Sequence, residues 1–135
     1  MAQVRIKSQK LPVKEKDIER WLALHLDLIE PGLRFICTQA HMNIEVPRGY
    51  YRQFARVDIL AEDYEGLPVL IEVKAHGIRS PWVIKQLERY MNLWPTICRG
   101  IIVGTDIAPE LLKEASSKNP PIKFFCIGIG GVPIG

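Results

Sequence analysis

The stretch Leu67-Pro68-Val69-Leu70-Ile71-Glu72-Val73-Lys74-Ala75 decides how this chain is read. Side chains two apart on a strand share a face, so Val69, Ile71 and Val73 point one way and Leu70, Glu72 and Lys74 the other. A strand covered on both faces should be apolar throughout, yet here a carboxylate and an ammonium interrupt it side by side. Upstream, Arg56-Val57-Asp58-Ile59-Leu60 reads as a second strand, with Arg56, Asp58 and Leu60 on one face and Val57 and Ile59 on the other. The polar turn Asp63-Tyr64-Glu65-Gly66 joins the two. Paired as a hairpin, they bring Asp58 and Glu72 together at its open end. Two such carboxylates repel unless a cation lies between them. Mg²⁺ suits the position, because it prefers oxygen ligands, keeps waters and is commonly held by one or two carboxylates plus a substrate phosphate. Lys74 would then lie beside the metal, placed to orient a water or to stabilise charge developing on phosphorus. The same three residues could instead form an ordinary cross-strand ion-pair ladder on a solvated face.

Outward from this hairpin, the chain alternates helical and extended patterns. Ile18, Trp21, Leu22, His25, Leu28 and Ile29 recur at helical spacing and predict a helix over 14–29, stopped by Pro31-Gly32. Residues 33–39 and 44–46 read as two strands, followed by a Pro47-Arg48-Gly49 turn. A second helix is expected over 81–94, with Ser80 as its cap and Pro81 at its first position. A strand at 100–105, a helix at 109–117 and a strand at 123–127 complete the pattern. Residues 1–13 read as an irregular or short extended lead-in closed by Pro12, and 129–135 as a loose glycine-rich tail. The fold class is therefore α/β, a central mixed sheet flanked by helices in one domain of 135 residues.

Composition narrows the function classes. With 47% hydrophobic and 24% charged residues, the chain can bury a core without disulfides. No apolar run approaches the ~20 residues that span a bilayer, and the N-terminus lacks the apolar core of a signal peptide, so the expectation is an intracellular, cytoplasmic protein. Cys37, Cys98 and Cys126 form no Cys-x-x-Cys pair and read as small buried thiols in strands. His25, His41 and His76 fall into no metal-ligand spacing. A net charge of +3 permits a polyanionic partner without requiring one.

Asp58, followed fourteen residues later by Glu72-Val73-Lys74 at the end of an apolar strand, resembles the PD-(D/E)xK nuclease signature, with Val57 where a proline is usual. Gln86-Leu87-Glu88-Arg89-Tyr90 resembles the Gln-x-x-x-Tyr motif of RecB-like members. Gln86 and Tyr90 share one helical face and could reach back to the site or to a phosphate. More closely, the chain is similar to the C-terminal nuclease domain of the NucS/EndoMS family of archaea and actinobacteria. The likeness runs from Glu15 through Glu30-Pro31-Gly32-Leu33, the two strands above, Gln86–Tyr90 and Arg99-Gly100-Ile101-Ile102-Val103.

That resemblance implies a restriction-endonuclease-like core and metal-dependent cutting of double-stranded DNA, notably at mismatches, with Mg²⁺ or with Mn²⁺ in its place. It implies a metal held by Asp58, Glu72 and the Val73 carbonyl, with a helix glutamate, Glu15 by spacing and Glu19 as the fallback one turn on. Read from the residues alone, Glu15 could simply complement a helix dipole. Lys74 would position the attacking water, with Gln86 and Tyr90 supporting the site, and the product would carry a 5′-phosphate. Candidate DNA contacts are Arg48, Tyr50, Tyr51, Arg52 and Arg56 around the loop before Asp58, and Arg79, Lys85 and Arg89 around the second helix. The loop could equally be a solvated turn, and the helix basic residues an ordinary charged face. Full-length members carry an N-terminal recognition domain, whereas only about a dozen residues precede Glu15 here. Mismatch choice is therefore open, and an origin in a mobile element, a virus or a restriction-like system of archaea or bacteria is suspected. A branched substrate, a homodimer, a separate DNA-recognition partner, a silent DNA-binding module and an exonuclease remain alternatives.

Overall fold

The computed structural model describes residues 2–5, 14–44 and 53–128. Its centre is a six-stranded sheet in the order β1-β6-β5-β4-β3-β2, formed by β1 (Ala2–Arg5), β2 (Arg34–Ile44), β3 (Gln53–Glu62), β4 (Pro68–Val73), β5 (Arg99–Gly104) and β6 (Ile122–Gly128). β2, β3 and β4 are antiparallel neighbours, while β4, β5, β6 and β1 run parallel. The parallel half follows from two crossovers: α2 (Trp82–Leu93) carries the chain from β4 to β5, and α3 (Pro109–Ser116) from β5 to β6.

Helix α1 (Glu15–Ala23) lays Ile18 and Leu22 on a core with Ile59, Ile71, Val73, Ile101 and Val103. On the opposite face, Ile84 and Leu87 of α2 and Leu111 and Ala115 of α3 cover Val57, Leu70, Ile102 and Phe124. Each fully buried Leu or Ile contributes about 1.5–3 kcal/mol, which explains why Val69, Leu70, Ile71 and Val73 of β4 are buried. The expected mixed sheet with flanking helices is the observed architecture. Among the described residues, no helix is long and apolar enough to cross a membrane.

Three local expectations are corrected. The helix anticipated over 14–29 stops at Ala23 and resumes as a 3-10 turn at Leu26–Leu28. His25, counted on its apolar face, instead stacks on Trp21 at 4.1 Å, and its Nδ1–H donates to the Trp21 carbonyl at 2.7 Å. Gly32, at φ +88 and against Tyr64, completes the reversal into β2. The two strands expected at 33–39 and 44–46 are one strand, because β3 pairs with it from Arg34↔Glu62 to Ile44↔Gln53; Val46 lies outside the described residues. Within the lead-in, Ala2–Arg5 takes the short extended form that the sequence allowed, as a strand paired parallel with β6. Cys98 lies just before β5 rather than within a strand. Pro12, the 47–49 turn and the tail at 129–135 also fall outside the described residues.

One departure shapes the site. Val57 and Ile59, expected on one face, lie in opposite cores, Val57 with Leu70 and Ile59 with Ile71. Their partner strand does the same: Cys37 and Ala40, three apart, both pack towards α2. Both strands therefore change face at the same place, between Thr38 and Ala40 on β2 and between Val57 and Ile59 on β3. Gln39 there has φ +51, an uncommon conformation outside glycine.

Candidate active site

The β3–β4 ladder runs from Glu62↔Pro68 to Ile59↔Ile71 and ends there. Beyond it, the Val73 N–H donates to Asp58 Oδ2 at 2.8 Å, so a side chain takes the bond. Glu72 lies beside this break, 4% exposed. Its Oε1 is buried without a hydrogen-bond partner, a costly state for a carboxylate in a protein interior. From α1, Glu19 is also buried, its Oε1 accepting from Gln39 Nε2 at 2.8 Å. Gln39 Oε1 accepts in turn from Arg56 Nε at 2.6 Å.

The three carboxylates hold their protons above the ordinary range. Burial pushes Glu72 up to about 8, reinforced by the charge of Asp58 and opposed by Lys74. Burial also raises Asp58, against the Val73 N–H and Lys74. For Glu19 burial again leads, with Asp58 adding to it and Gln39 opposing. An arrangement that penalises ionisation three times over at one spot favours a cation there.

A cleft of about 490 Å³ opens over these groups, lined by Glu15, Lys16, Glu19, Gln39, Arg56, Asp58, Glu72, Lys74, Gln86 and Tyr90. Asp58, Glu72, Lys74, Glu15, Gln86, Tyr90 and Arg56, singled out from the sequence, thus converge on one depression. Gln86 Nε2 donates to the Tyr90 hydroxyl at 2.8 Å, as their four-residue spacing allows. Of the two α1 glutamates, Glu19 is buried and hydrogen-bonded, while Glu15 is half-buried at the rim. Gln39 and Lys16 were not singled out; a glutamine ending an apolar strand carries no signal of its own.

A family model described as the endonuclease NucS C-terminal domain matches residues 14–124. The chain belongs to that family. Solved structures similar to the NucS-type domain include a repair endonuclease from Pyrococcus abyssi, at TM-score 0.66 and 18% identity over 90% of this chain and 50% of that one. An EndoMS–dsDNA complex is similar at TM-score 0.64 and 18% identity, over 95% of this chain and 49% of that one. At these identities the likeness speaks for the fold. The chain spans about half the length of these two relatives. No curated protein matches the sequence.

The remaining candidates of the NucS-type domain are dispersed. Arg79 pairs with Asp106 at 2.9 Å and lines a neighbouring cavity of about 430 Å³ with Lys74 and Trp82. Lys85 and Arg89 are exposed on α2 and do not line the cleft. Arg48, Tyr50, Tyr51 and Arg52 lie outside the described residues. Among those described, no three His, Cys, Asp or Glu side chains form a ready cage for a metal. The site fits instead an ion that takes one or two carboxylates and completes its shell with water and phosphate: Asp58 and Glu72 adjoin, and one Glu72 oxygen lacks a partner.

Proposed function

We propose that this domain is a metal-dependent DNA endonuclease that hydrolyses phosphodiester bonds at the Asp58–Glu72–Lys74 cleft. The observation that carries the reading is the unpartnered, buried Glu72 oxygen beside Asp58. Membership of the NucS C-terminal domain family and the likeness of the fold to a DNA-bound relative support it. Asp58 and Glu72 would hold the ion, with the Val73 carbonyl as a further ligand, and Glu19 or Glu15 of α1 would complete the site. Mg²⁺, or Mn²⁺ in its place, supplies neutralisation of the scissile phosphate and acidification of a water. Lys74, close enough to favour ionisation of both carboxylates, orients the attacking water and stabilises charge gathering on the phosphate. Gln86 fixes the Tyr90 hydroxyl at the wall of the cleft, and Arg56 offers a guanidinium to the DNA backbone. Water adds to phosphorus as the bond to the 3′ oxygen breaks, leaving a 5′-phosphate.

The test is cleavage of labelled circular, linear, mismatched and branched DNA with Mg²⁺ or Mn²⁺. Cutting of closed circles separates an endonuclease from an exonuclease. Asp58→Ala and Lys74→Ala should each lower the rate by about 10²–10³-fold or more while keeping the fold. Unchanged cutting by both would refute the site. DNA binding without cleavage on every substrate would favour a silent binding module, or a nuclease subunit that needs a separate DNA-recognition partner; cleavage on adding a DNA-binding partner distinguishes the two.

A further inference from the structure

Gln39 has no part in the chemistry above, yet the cleft is assembled around it. At φ +51 it occupies a backbone conformation that non-glycine residues adopt when their surroundings impose it. It lies where β2 and β3 both change face, so the kink that places Asp58 against Val73 also brings the Gln39 amide into the cleft.

That amide makes two hydrogen bonds of opposite polarity. Nε2 donates to Glu19 at 2.8 Å, and Oε1 accepts from Arg56 at 2.6 Å. A carboxylate can only accept and a guanidinium can only donate, so a single amide orientation satisfies both. A glutamate at 39 would set its charge against Glu19, and a lysine would set its charge against Arg56. Only a neutral side chain with a donor and an acceptor at one tip joins these two groups.

We propose that Gln39 is a positioning residue that ties Arg56 to Glu19, holding the guanidinium at the cleft for a DNA phosphate and the carboxylate towards Asp58 for the metal. The proposal rests on the DNA-cutting reading above. It assigns one uncharged side chain to both halves of substrate capture, since displacing it frees Arg56 into solvent and Glu19 to turn away.

The test compares Gln39→Met, which keeps length and loses both bonds, with Gln39→Gly, which also relieves the left-handed backbone and so guards against misfolding. Thermal unfolding checks that each variant folds. The Arg56 Nε–H resonance in ¹⁵N NMR should exchange with solvent faster in both. Duplex affinity in chelator should fall about threefold to tenfold, and no further when Arg56→Met is added. Binding of Mn²⁺ alone should weaken as it does in Glu19→Gln. An unchanged Arg56 Nε–H, additive losses with Arg56→Met, or parental affinities for both duplex and Mn²⁺ would overturn the proposal. Asp58→Ala separates this from the underlying reading: if Asp58→Ala still cuts DNA, the nuclease site is wrong, whatever Gln39 does.

Discussion

Replacing Glu72 by glutamine should change how stability depends on pH. The Glu72 carboxyl holds its proton up to about 8 against an ordinary 4.5. Its folded-state value is raised, so the stabilisation it contributes is fully present below about 4.5. That contribution is lost as pH rises through about 8, when the folded protein must charge a buried group. At about 1.4 kcal/mol per unit the gap amounts to nearly 5 kcal/mol; relaxation and water entry on charging reduce the expected effect to about 2–3 kcal/mol. For a domain of this size that is about 10 °C in melting temperature. The assay is thermal unfolding by circular dichroism in chelator at pH 5, 6, 7 and 8, for the parent and Glu72→Gln. Ionisable groups away from the cleft are common to both proteins, so the difference reports Glu72 together with Asp58, whose charge acts on it. The parent should lose stability relative to Glu72→Gln as pH rises, and Mg²⁺ or Mn²⁺ should recover it most at pH 8. A constant difference across the window, or no metal response in the parent at pH 8, would refute the reasoning.

Three further outcomes are expected. Arg99 donates to both Glu30 oxygens at 2.7 Å and to Asp63 at 3.1 Å, so Arg99→Ala should cost about 2–4 kcal/mol in urea unfolding; a loss under 1 kcal/mol would show the network to be ornamental. The Arg99 guanidinium holds Glu30 down at about 2, so its contribution is present above 4.5 and lost as pH falls towards 2. The full shift is about 3 kcal/mol, and solvent screening at this partly exposed group leaves about 1–2 kcal/mol, measurable as an acid-limb difference from Glu30→Gln. A methyl at Gly100 would meet Met91 Sδ at 2.6 Å and Leu87 Cδ2 at 3.1 Å; Gly100→Ala should therefore destabilise by about 1–2 kcal/mol as α2 is pushed off β5, and a neutral melting temperature would contradict that close approach.

The features legible in the sequence are those whose parts lie near one another along the chain. Alternation in 67–75 identified β4 and the intrusion of Glu72 and Lys74. One turn of loop connected this strand to Asp58, and a four-residue helical spacing put Gln86 and Tyr90 on one face. Periodicity likewise distinguished strands from helices well enough to specify a mixed sheet with helices around it. These inferences need only backbone geometry and local spacing, which the chain carries wherever it is placed.

Tertiary structure decided the rest. Helical spacing continued through His25, but α1 ends at Ala23, and the His25 ring stacks on Trp21 and bonds to its carbonyl. Ala2–Arg5 became a strand because the edge of β6 was there to pair with it. Strict alternation placed Val57 with Ile59, whereas the kink at Gln39 and Asp58 sent them to opposite cores. Glu15 and Glu19 stand four apart on one helical face and are equivalent in pattern; only the packing of α1 over β2 and β3 buried Glu19 and left Glu15 at the rim. By itself the sequence determined which groups carry charge and how neighbours along the chain are spaced. Which of them lose water, and which then need each other, depended on surfaces far apart in the chain, because desolvation is a property of the packed whole.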